Sequence, residues 1–186
     1  MKQCLFSTLL LAVLLSVPAF ANEQYLWLEA ENGVEQNPIV KRTDANASDG
    51  AYLSSWLLSN EGQVTYTIKV PVEGEYKLWG RLRMPSHVAP FDVLVNGKAV
   101  RWSKNAKGTT AMWAWSDSGL STYLSAGTHT IVLQLKEGGN QVHLDKLLLT
   151  TVSDFAPQAE GGSTALAQNV EKPEHSLASG FELSSL

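Results

Sequence analysis

The chain has 186 residues and a formal net charge of −4, with 44% hydrophobic and 17% charged residues. This length and apolar fraction predict one folded domain with appendages, and the low charge content argues against a disordered or coiled-coil protein. The mildly acidic balance argues against a nucleic-acid partner, which a protein holds by neutralising phosphates. Six Trp and five Tyr indicate a domain rich in flat aromatic surfaces.

Residues 1–21 have the three parts of a secretory signal peptide. Lys2 supplies the positive charge, residues 9–17 are apolar, and residues 19–21 form a small-residue cleavage site. The apolar stretch is too short to span a bilayer, so we expect no membrane span in the mature chain. We therefore expect a secreted or periplasmic protein. Cleavage would also remove the only cysteine, Cys4, so we expect the mature domain to be stabilised by burial, with or without a metal ion.

Between residues 25 and 152 the sequence consists of short runs rich in β-branched and aromatic residues, without helical periodicity. Residues 63–70 alternate apolar and polar side chains, as in a strand with one buried face. Asn96-Gly97, between two such runs, is the strongest hairpin signal in the chain. About ten strands without room for crossover helices predict an all-β fold, an antiparallel β-sandwich.

The sequence changes character after Phe155. Residues 156–186 contain no Trp or Tyr and consist mainly of Pro, Gly, Ser, Ala and Glu with scattered Leu. Such a stretch buries too little apolar area to offset its ordering entropy. We expect a folded domain over residues 22–155 followed by a flexible acidic tail at 156–186. The alternative is a docking segment that ends in Phe181.

Signatures of the common enzyme classes are absent from the sequence. It has no G-x-S-x-G or H-E-x-x-H motif and no glycine-rich phosphate loop. His143 and Asp145, two residues apart on a predicted strand, share a face and could form a metal or acid–base pair. The simpler interpretation is a surface histidine beside a structural carboxylate. We expect no enzyme; the alternative is a small hydrolase or lyase that uses Asp117 or Asp145 with His143.

An acidic pair, Glu29-Ala30-Glu31, closes the first predicted strand. Carboxylates two residues apart on a strand share a face and repel each other unless a cation or an arginine lies between them. The other interpretation is a pair of solvated edge charges. The loop at residues 44–50 is also rich in side-chain oxygens, but it lacks the glycine and the final glutamate of an EF-hand.

The tryptophans form a second group of candidate site residues. Trp113 and Trp115 share a strand face by alternation, so we expect at least one of them in the core, while Trp56 and Asn140 lie on separate predicted loops. Sugar rings stack on aromatic planes, and sugar hydroxyls hydrogen-bond to side chains such as Asn. A sugar site and a purely structural use of all these tryptophans are both consistent with the pattern.

Several motifs follow one another in a familiar order. They are Glu-Ala-Glu near the start, Val-Pro-x-x-Gly-x-Tyr-x-Leu at 70–78, a Val-Asn-Gly hairpin at 95–97, Trp-x-Trp at 113–115, Leu-Ser-Ala-Gly-Thr-His-Thr-Ile at 124–131 and Leu-Asp-Lys-Leu-Leu-Leu at 144–149. Through their order and spacing, residues 24–155 resemble the β-sandwich carbohydrate-binding modules of families 6 and 35 and their galactose-binding-like relatives.

This resemblance implies a jelly-roll sandwich with a structural calcium ion and a sugar site among the loops at one end. The calcium carboxylates would be Glu29, Glu31 and Asp145, completed by backbone carbonyls, and the ion would join the first strand to the last. The sugar would be held by Trp113 and Asn140, with Trp56 as the second aromatic side chain.

The function that the resemblance implies is a secreted, non-catalytic carbohydrate-binding protein whose partner is a polysaccharide or glycan. Such modules usually accompany a glycan-active catalytic domain, and the sequence contains no recognisable one. The further partner that we expect is a separate glycan-active enzyme or a surface protein. The alternative is a protein-interaction or surface-structural module that uses the same sandwich without a sugar.

Overall fold

The computed structural model describes residues 23–36, 39–54, 62–83, 91–102, 112–135 and 142–162. The predicted signal peptide, Trp56, Asn140 and residues 163–186 lie outside these ranges. The described strands are β1 (Tyr25–Glu29), β2 (Val34–Gln36), β3 (Val40–Thr43), β4 (Ala51–Ser54), β5 (Gly62–Val70), β6 (Gly74–Arg83), β7 (Phe91–Val95), β8 (Lys98–Trp102), β9 (Ala114–Leu124), β10 (Gly127–Leu135) and β11 (His143–Thr150). Two short 3₁₀ helices, η1 (Ala30–Asn32) and η2 (Ser48–Gly50), accompany them. None of the helices described is long and apolar enough to cross a membrane.

The strands form two antiparallel sheets. The six-stranded sheet has the order β3-β4-β11-β6-β9, with β1 also paired to β11, and the five-stranded sheet has the order β2-β5-β10-β7-β8. Strands β4 and β1 share one edge of β11, because β4 pairs with residues 143–144 and β1 with residues 146–150. The predicted antiparallel β-sandwich is confirmed, with eleven strands described where about ten were expected.

Local sequence patterns explain the elements. In β5, Val64, Tyr66 and Ile68 are buried while the residues between them are not, which is the predicted alternation. The hairpin between β7 and β8 turns at Asn96 and Gly97, whose φ angles are 48° and 82°. Both are positive, as the tight turn that joins right-twisted strands requires.

The core lies between the sheets and contains a different tryptophan from those expected. Trp102 is 1% exposed, and its indole N–H donates to the Ser116 hydroxyl at 3.1 Å, which joins the two sheets. A Cβ on Gly80 would come within 2.5 Å of the Trp102 ring, so the ring occupies the space left by this glycine. The expectation that Trp113 or Trp115 belongs to the core is wrong, since neither is in the core cluster.

Four strand ends of the six-stranded sheet, each next in sequence to a strand of the five-stranded sheet, lie together at one end of the sandwich, which we call the crossover end. In the six-stranded sheet this end is marked by Ser54, Arg83, Ala114 and His143. His143 is the register partner of both Ser54 and Arg83, and Ala114 is the partner of the residue before Arg83. Strand pairing therefore brings these four strand ends, distant in sequence, to one place.

The described part of the predicted tail packs on the domain. Residues 156–162, the C-terminal strap, run across the outer face of the six-stranded sheet, the face turned away from the core. The Trp115 indole N–H donates to the carbonyl of Ala159 at 3.1 Å, and Pro157 is buried. A Cβ on Gly161 or Gly162 would come within 2.5 Å of the Trp27 ring. Contacts of the domain therefore extend seven residues beyond the predicted boundary at 155.

Candidate functional site

An aromatic cluster lies at the crossover end, on the outer face of the six-stranded sheet. Trp113 directly precedes β9, and the pairing of β9 with β6 places it beside Arg83. The Arg83 guanidinium carbon is 4.6 Å from the centroid of the Trp113 ring and 5.3 Å from that of Tyr52. The two rings are themselves in edge-to-face contact, with centroids 5.3 Å apart. Cation–π contact with both rings therefore fixes the half-buried Trp113 indole in place.

Arg83 is held by two polar partners. Its Nη1 donates to Oδ2 of Asp44 at 2.5 Å, and its Nε and Nη2 lie 3.3 and 3.2 Å from Nδ1 of His143. A guanidinium only donates hydrogen bonds, so Nδ1 of His143 is the acceptor and the ring proton is on Nε2. Burial, followed by the positive charge of Arg83, lowers the pKa of His143 to about 4. The imidazole is therefore neutral at physiological pH, with a defined tautomer.

Two ring nitrogens of this cluster have no hydrogen-bond partner in the part of the chain that the structure describes. Nε1 of Trp113 and Nε2 of His143 are both buried and hydrogen-bond to nothing among the described residues. Each is an N–H donor, and a buried donor without an acceptor costs about 1–3 kcal/mol of stability. Such groups are rare in folded proteins and call for an explanation.

The structure describes only one of the three predicted sugar-binding residues. Trp113 lies in the aromatic cluster, whereas Trp56 and Asn140 are outside the described ranges. Trp56 follows Ser54 by two residues, and Asn140 precedes His143 by three. Ser54 and His143 are register partners at the crossover end, so the described strand ends flanking the two residues adjoin the aromatic cluster.

A buried ion cluster lies further along the same sheet face. The Lys146 ammonium is 2.7 Å from Oε1 of Glu29, and the Arg81 guanidinium donates to Oδ2 of Asp145 at 2.5 Å. Ser48 joins the two pairs, because its N–H donates to Asp145 and its hydroxyl contacts Glu29 and Lys146. Asp145 is the extra residue of a bulge in the pairing of β11 with β6, so it and Lys146 both face this cluster.

The predicted calcium carboxylates lie close to one another but differ in their hydrogen-bond partners and in their pKa. Both oxygens of Asp145 accept hydrogen bonds, whereas Oε2 of Glu29 and Oε2 of Glu31 are buried without a partner in the described chain. Glu31 lies in η1, not on a strand, so the expectation that strand alternation pairs it with Glu29 is wrong. Burial, aided by the charges of Glu29 and Asp145, raises the pKa of Glu31 to about 7.

A cation fits part of this set. Within the described ranges no three His, Cys, Asp or Glu side chains are grouped so as to hold a metal ion, and Arg81 and Lys146 engage two of the three carboxylates. When all three are ionised, the carboxylates exceed Arg81 and Lys146 by one negative charge, and the charge of Lys41 also acts on Glu31. The partnerless oxygens of Glu29 and Glu31 are hard donors of the kind that calcium prefers, and burying them uncompensated is unfavourable.

Sequence reasoning missed the cationic half of both clusters. Arg81 and Arg83 stand two residues apart on β6 and therefore share the outer face. This spacing was the available signal, because two arginines on the same face of a strand favour acidic partners on the neighbouring elements. The sequence around Lys146 did not indicate a contact with Glu29, because the direction of the Lys146 side chain depends on the bulge at Asp145. The polar loop at 44–50 supplies Asp44 and Ser48, whose partners lie on distant strands.

Comparisons with known proteins give one sequence relative and many structural ones. No protein-family profile matches the chain. A cycloisomaltooligosaccharide glucanotransferase of Niallia circulans is 29% identical over 133 residues, which are 71% of this chain and 13% of that enzyme. The chain thus spans a small part of the relative's length.

Solved structures of carbohydrate-binding modules resemble the sandwich. A family 35 module from Clostridium thermocellum has a TM-score of 0.59 at 18% identity, over 68% of this chain and 97% of the module. A family 35 module from Paenibacillus barcinonensis has a TM-score of 0.55 at 18% identity, over 68% and 98%. A Podospora anserina β-(1,4)-mannanase with such a module has a TM-score of 0.57 at 18% identity, over 72% of this chain and 29% of the mannanase. The resemblance predicted from the motifs is confirmed: the chain has the β-sandwich fold of the family 35 carbohydrate-binding modules.

Proposed function

We propose that this protein is a secreted, non-catalytic carbohydrate-binding module that binds a polysaccharide or glycan at its crossover end. The observation that carries the proposal is Trp113, a half-buried indole fixed at the crossover end by Arg83 and Tyr52 instead of being buried in the core. A rigid aromatic plane at the rim suits stacking against the C–H face of a sugar ring. Because the cluster is preformed, little conformational entropy is lost on binding.

The rest of the site is supplied by the connections at the crossover end. In this proposal Trp56 stacks on the second face of the sugar, and Asn140 hydrogen-bonds its hydroxyls. The pairing of Ser54 with His143 supports this arrangement. The connection that carries Trp56 follows Ser54, and the connection that carries Asn140 precedes His143. Each hydroxyl exchanges bonds to water for bonds to protein at small net gain, so we expect a dissociation constant of about micromolar to millimolar.

Calcium has a structural role in the proposal. Glu29 and Glu31 would hold the ion through their partnerless oxygens, with Asp145 beside them in contact with Arg81. A divalent cation there would offset the excess negative charge and fix the end of β1 and η1 to β11. The carbohydrate site is at the neighbouring crossover end, so loss of calcium would weaken sugar binding only through the fold.

Affinity electrophoresis in polysaccharide gels, together with a glycan array, tests the proposal. We expect at least one glycan to retard the wild type, and Trp113→Ala to abolish the retardation. Trp115→Ala is the matched control, because Trp115 lies on the same sheet face but is covered by the C-terminal strap. A wild type that no glycan retards, or a Trp113→Ala variant that binds equally well, contradicts the proposal.

Two further assays separate the alternatives. Release of reducing ends from a retained polysaccharide would identify an enzyme, whereas we expect none. Capture of a protein partner by a chain that binds no glycan would favour the interaction module. The secreted state is tested by fractionating cells that express the full chain, where we expect the protein outside the cytoplasm and shortened by about 21 residues.

A further inference from the structure

We propose that the ring N–H groups of Trp113 and His143 form a two-donor site that binds an acceptor oxygen of the ligand. This inference rests on the proposed function and adds a polar subsite beside the stacking surface. It assigns a role to His143, which the stacking proposal leaves unused. The subsite is defined by three side chains: Trp113, His143 and the Arg83 that fixes both.

The hydrogen-bonding role of His143 follows from its neighbour. Arg83 directs its Nε and Nη2 at Nδ1 of His143, at 3.3 and 3.2 Å, so Nδ1 must accept and Nε2 must carry the proton. His143 is 5% exposed, and its Nε2 has no partner among the described residues. The fold therefore holds the Nε2–H of His143 as a buried donor in one tautomer, with no acceptor among the described residues.

Trp113 presents a second donor of the same kind. Its Nε1 is also buried without a partner in the described chain, and an indole nitrogen can only donate. The centroids of the Trp113 and His143 rings are 6.5 Å apart. The two rings are therefore neighbours in one cluster, and in this proposal a single acceptor group lies between their donors.

Asp44, the described carboxylate beside the cluster, does not supply that acceptor. Oδ1 of Asp44 accepts from the backbone N–H and side-chain amide of Asn46, and its Oδ2 accepts from Arg83. Asp44 and Arg83 also cancel in charge, and both are held in place by these bonds. The cluster thus offers donors in a neutral, rigid setting, where a hydrogen bond to an incoming oxygen is stronger than in water.

Glycans carry three kinds of acceptor oxygen that such a pair could bind: a hydroxyl, a carboxylate and an acetamido carbonyl. The shared chemistry is an oxygen that accepts two hydrogen bonds. Binding is therefore measured by calorimetry with three probes of equal length: a neutral oligosaccharide, one that contains a uronic acid and one that contains an N-acetylated sugar. The probe whose affinity depends on the two donors identifies the source of the oxygen.

The variants remove one donor at a time. Trp113→Phe keeps an aromatic plane but removes the N–H, and His143→Phe keeps a buried ring without a donor. We expect each to weaken binding of the relevant probe by about tenfold, the usual effect of one lost hydrogen bond. His143→Gln places an amide N–H at a similar depth, so we expect it to bind more tightly than His143→Phe.

Matched controls come from the same fold. His129 is the other described buried histidine; its ring nitrogens lie 2.7 Å from the side chain of Asn96 and 2.8 Å from the carbonyl of Ser125, in the five-stranded sheet. The Trp115 indole N–H already donates to the carbonyl of Ala159. His129→Phe and Trp115→Phe should therefore leave affinity unchanged, and thermal unfolding of every variant excludes those that do not fold.

Nuclear magnetic resonance supplies a measurement that would not change if Trp113 had only a structural role. In the ¹⁵N-labelled wild type, saturation with the relevant probe should shift the indole N–H proton of Trp113 downfield, as a newly formed hydrogen bond does, while that of Trp115 stays in place. The resonances are assigned with the two Trp→Phe variants. This experiment uses the intact wild type and so remains informative if His143→Phe fails to fold.

The outcomes separate the two proposals. The two-donor site is overturned if the wild type and the variants Trp113→Phe and His143→Phe bind a glycan with equal affinity and the Trp113 resonance does not shift. That result leaves carbohydrate binding intact. A wild type that binds none of the glycans overturns both. Donor-dependent binding of any one probe, together with the shift, supports the two-donor site.

Discussion

The Arg81 guanidinium donates to the Asp145 carboxylate at 2.5 Å, and the two side chains are 8% and 0% exposed. Asp145 is the bulged residue of β11, and Arg81 lies on the neighbouring strand β6. Burial raises the pKa of Asp145 to about 6, while the hydrogen bond and charge of Arg81 act in the opposite direction. The pair is therefore an enclosed ion pair on the outer side of a sheet.

Arg81→Leu should lower the free energy of unfolding by about 3–5 kcal/mol, because it leaves the Asp145 carboxylate buried and unpaired. Urea denaturation of the two proteins measures this difference. Arg101→Leu is the comparison, since Arg101 is 40% exposed and 3.4 Å from Asp92, which is 9% exposed; solvent screens this half-exposed pair, so we expect a smaller loss than in Arg81→Leu. Equal losses in the two variants would contradict the assigned burial.

Calcium should raise the melting temperature of the chelator-treated protein by about 5–10 °C at a hundredfold excess over its dissociation constant. Glu31→Gln should remove most of this rise, because it removes one of the two partnerless carboxylate oxygens. Glu75→Gln is the control, as Glu75 is exposed and bonded to Ser121, and it should keep the rise. Scanning calorimetry with and without chelator measures both, and an unchanged rise in Glu31→Gln would exclude Glu31 as a ligand.

Gly161→Ala tests the C-terminal strap. Its Cβ would lie 2.5 Å from the Trp27 ring and 2.8 Å from the Trp115 ring, and its φ is +76°. Gly97→Ala has a similar φ of +82° but nothing within 4 Å of the added atom. Both substitutions place an alanine at an unfavourable positive φ. The loss of stability in Gly161→Ala beyond that in Gly97→Ala therefore measures the clash, which we expect to cost about 1–3 kcal/mol. No excess would mean that the strap does not pack on the tryptophans in solution.

Asp44→Asn should reduce stability at neutral pH by about 1 kcal/mol or less. The backbone N–H of Asn46, followed by Arg83, holds the pKa of Asp44 below its ordinary value of 3.8. A carboxylate with a depressed pKa stabilises the fold above the ordinary pKa, and this contribution disappears as the pH falls through the lower pKa of the folded state. The melting temperatures of the two proteins should therefore differ at pH 6–7 and converge as the pH falls below the ordinary pKa of 3.8. A difference that persists at low pH would assign the effect to shape instead of charge.

The strands and their buried faces could be predicted from the sequence because they depend on local chemistry. Alternation in β5 needs only the period-two geometry of an extended chain, and the turn at Asn96-Gly97 needs only residues that tolerate positive φ. The order of short motifs added the resemblance to family 35 modules, whose β-sandwich fold the structure confirms.

The candidate site was predictable only in part. Trp113 and the acidic residues Glu29, Glu31 and Asp145 were named from the family resemblance. Their partners were not, because Arg81 and Asp145 are 64 residues apart and Arg83 and His143 are 60 apart. Which charges meet depends on the order of strands in the sheet, and that order is set by packing of the whole domain.

Composition and local pattern by themselves thus determined an all-β domain, the alternation of its strands and its hairpin. Tertiary structure alone decided which tryptophan fills the core, since Trp102 fits against Gly80 while Trp113 is held at the rim by Arg83. It also decided that Asp145 and Lys146, adjacent in sequence, face the same cluster, because a bulge interrupts the alternation between them. The physical reason is that side-chain direction follows from the backbone of one strand, whereas the surroundings of a side chain follow from strands contributed by distant parts of the chain.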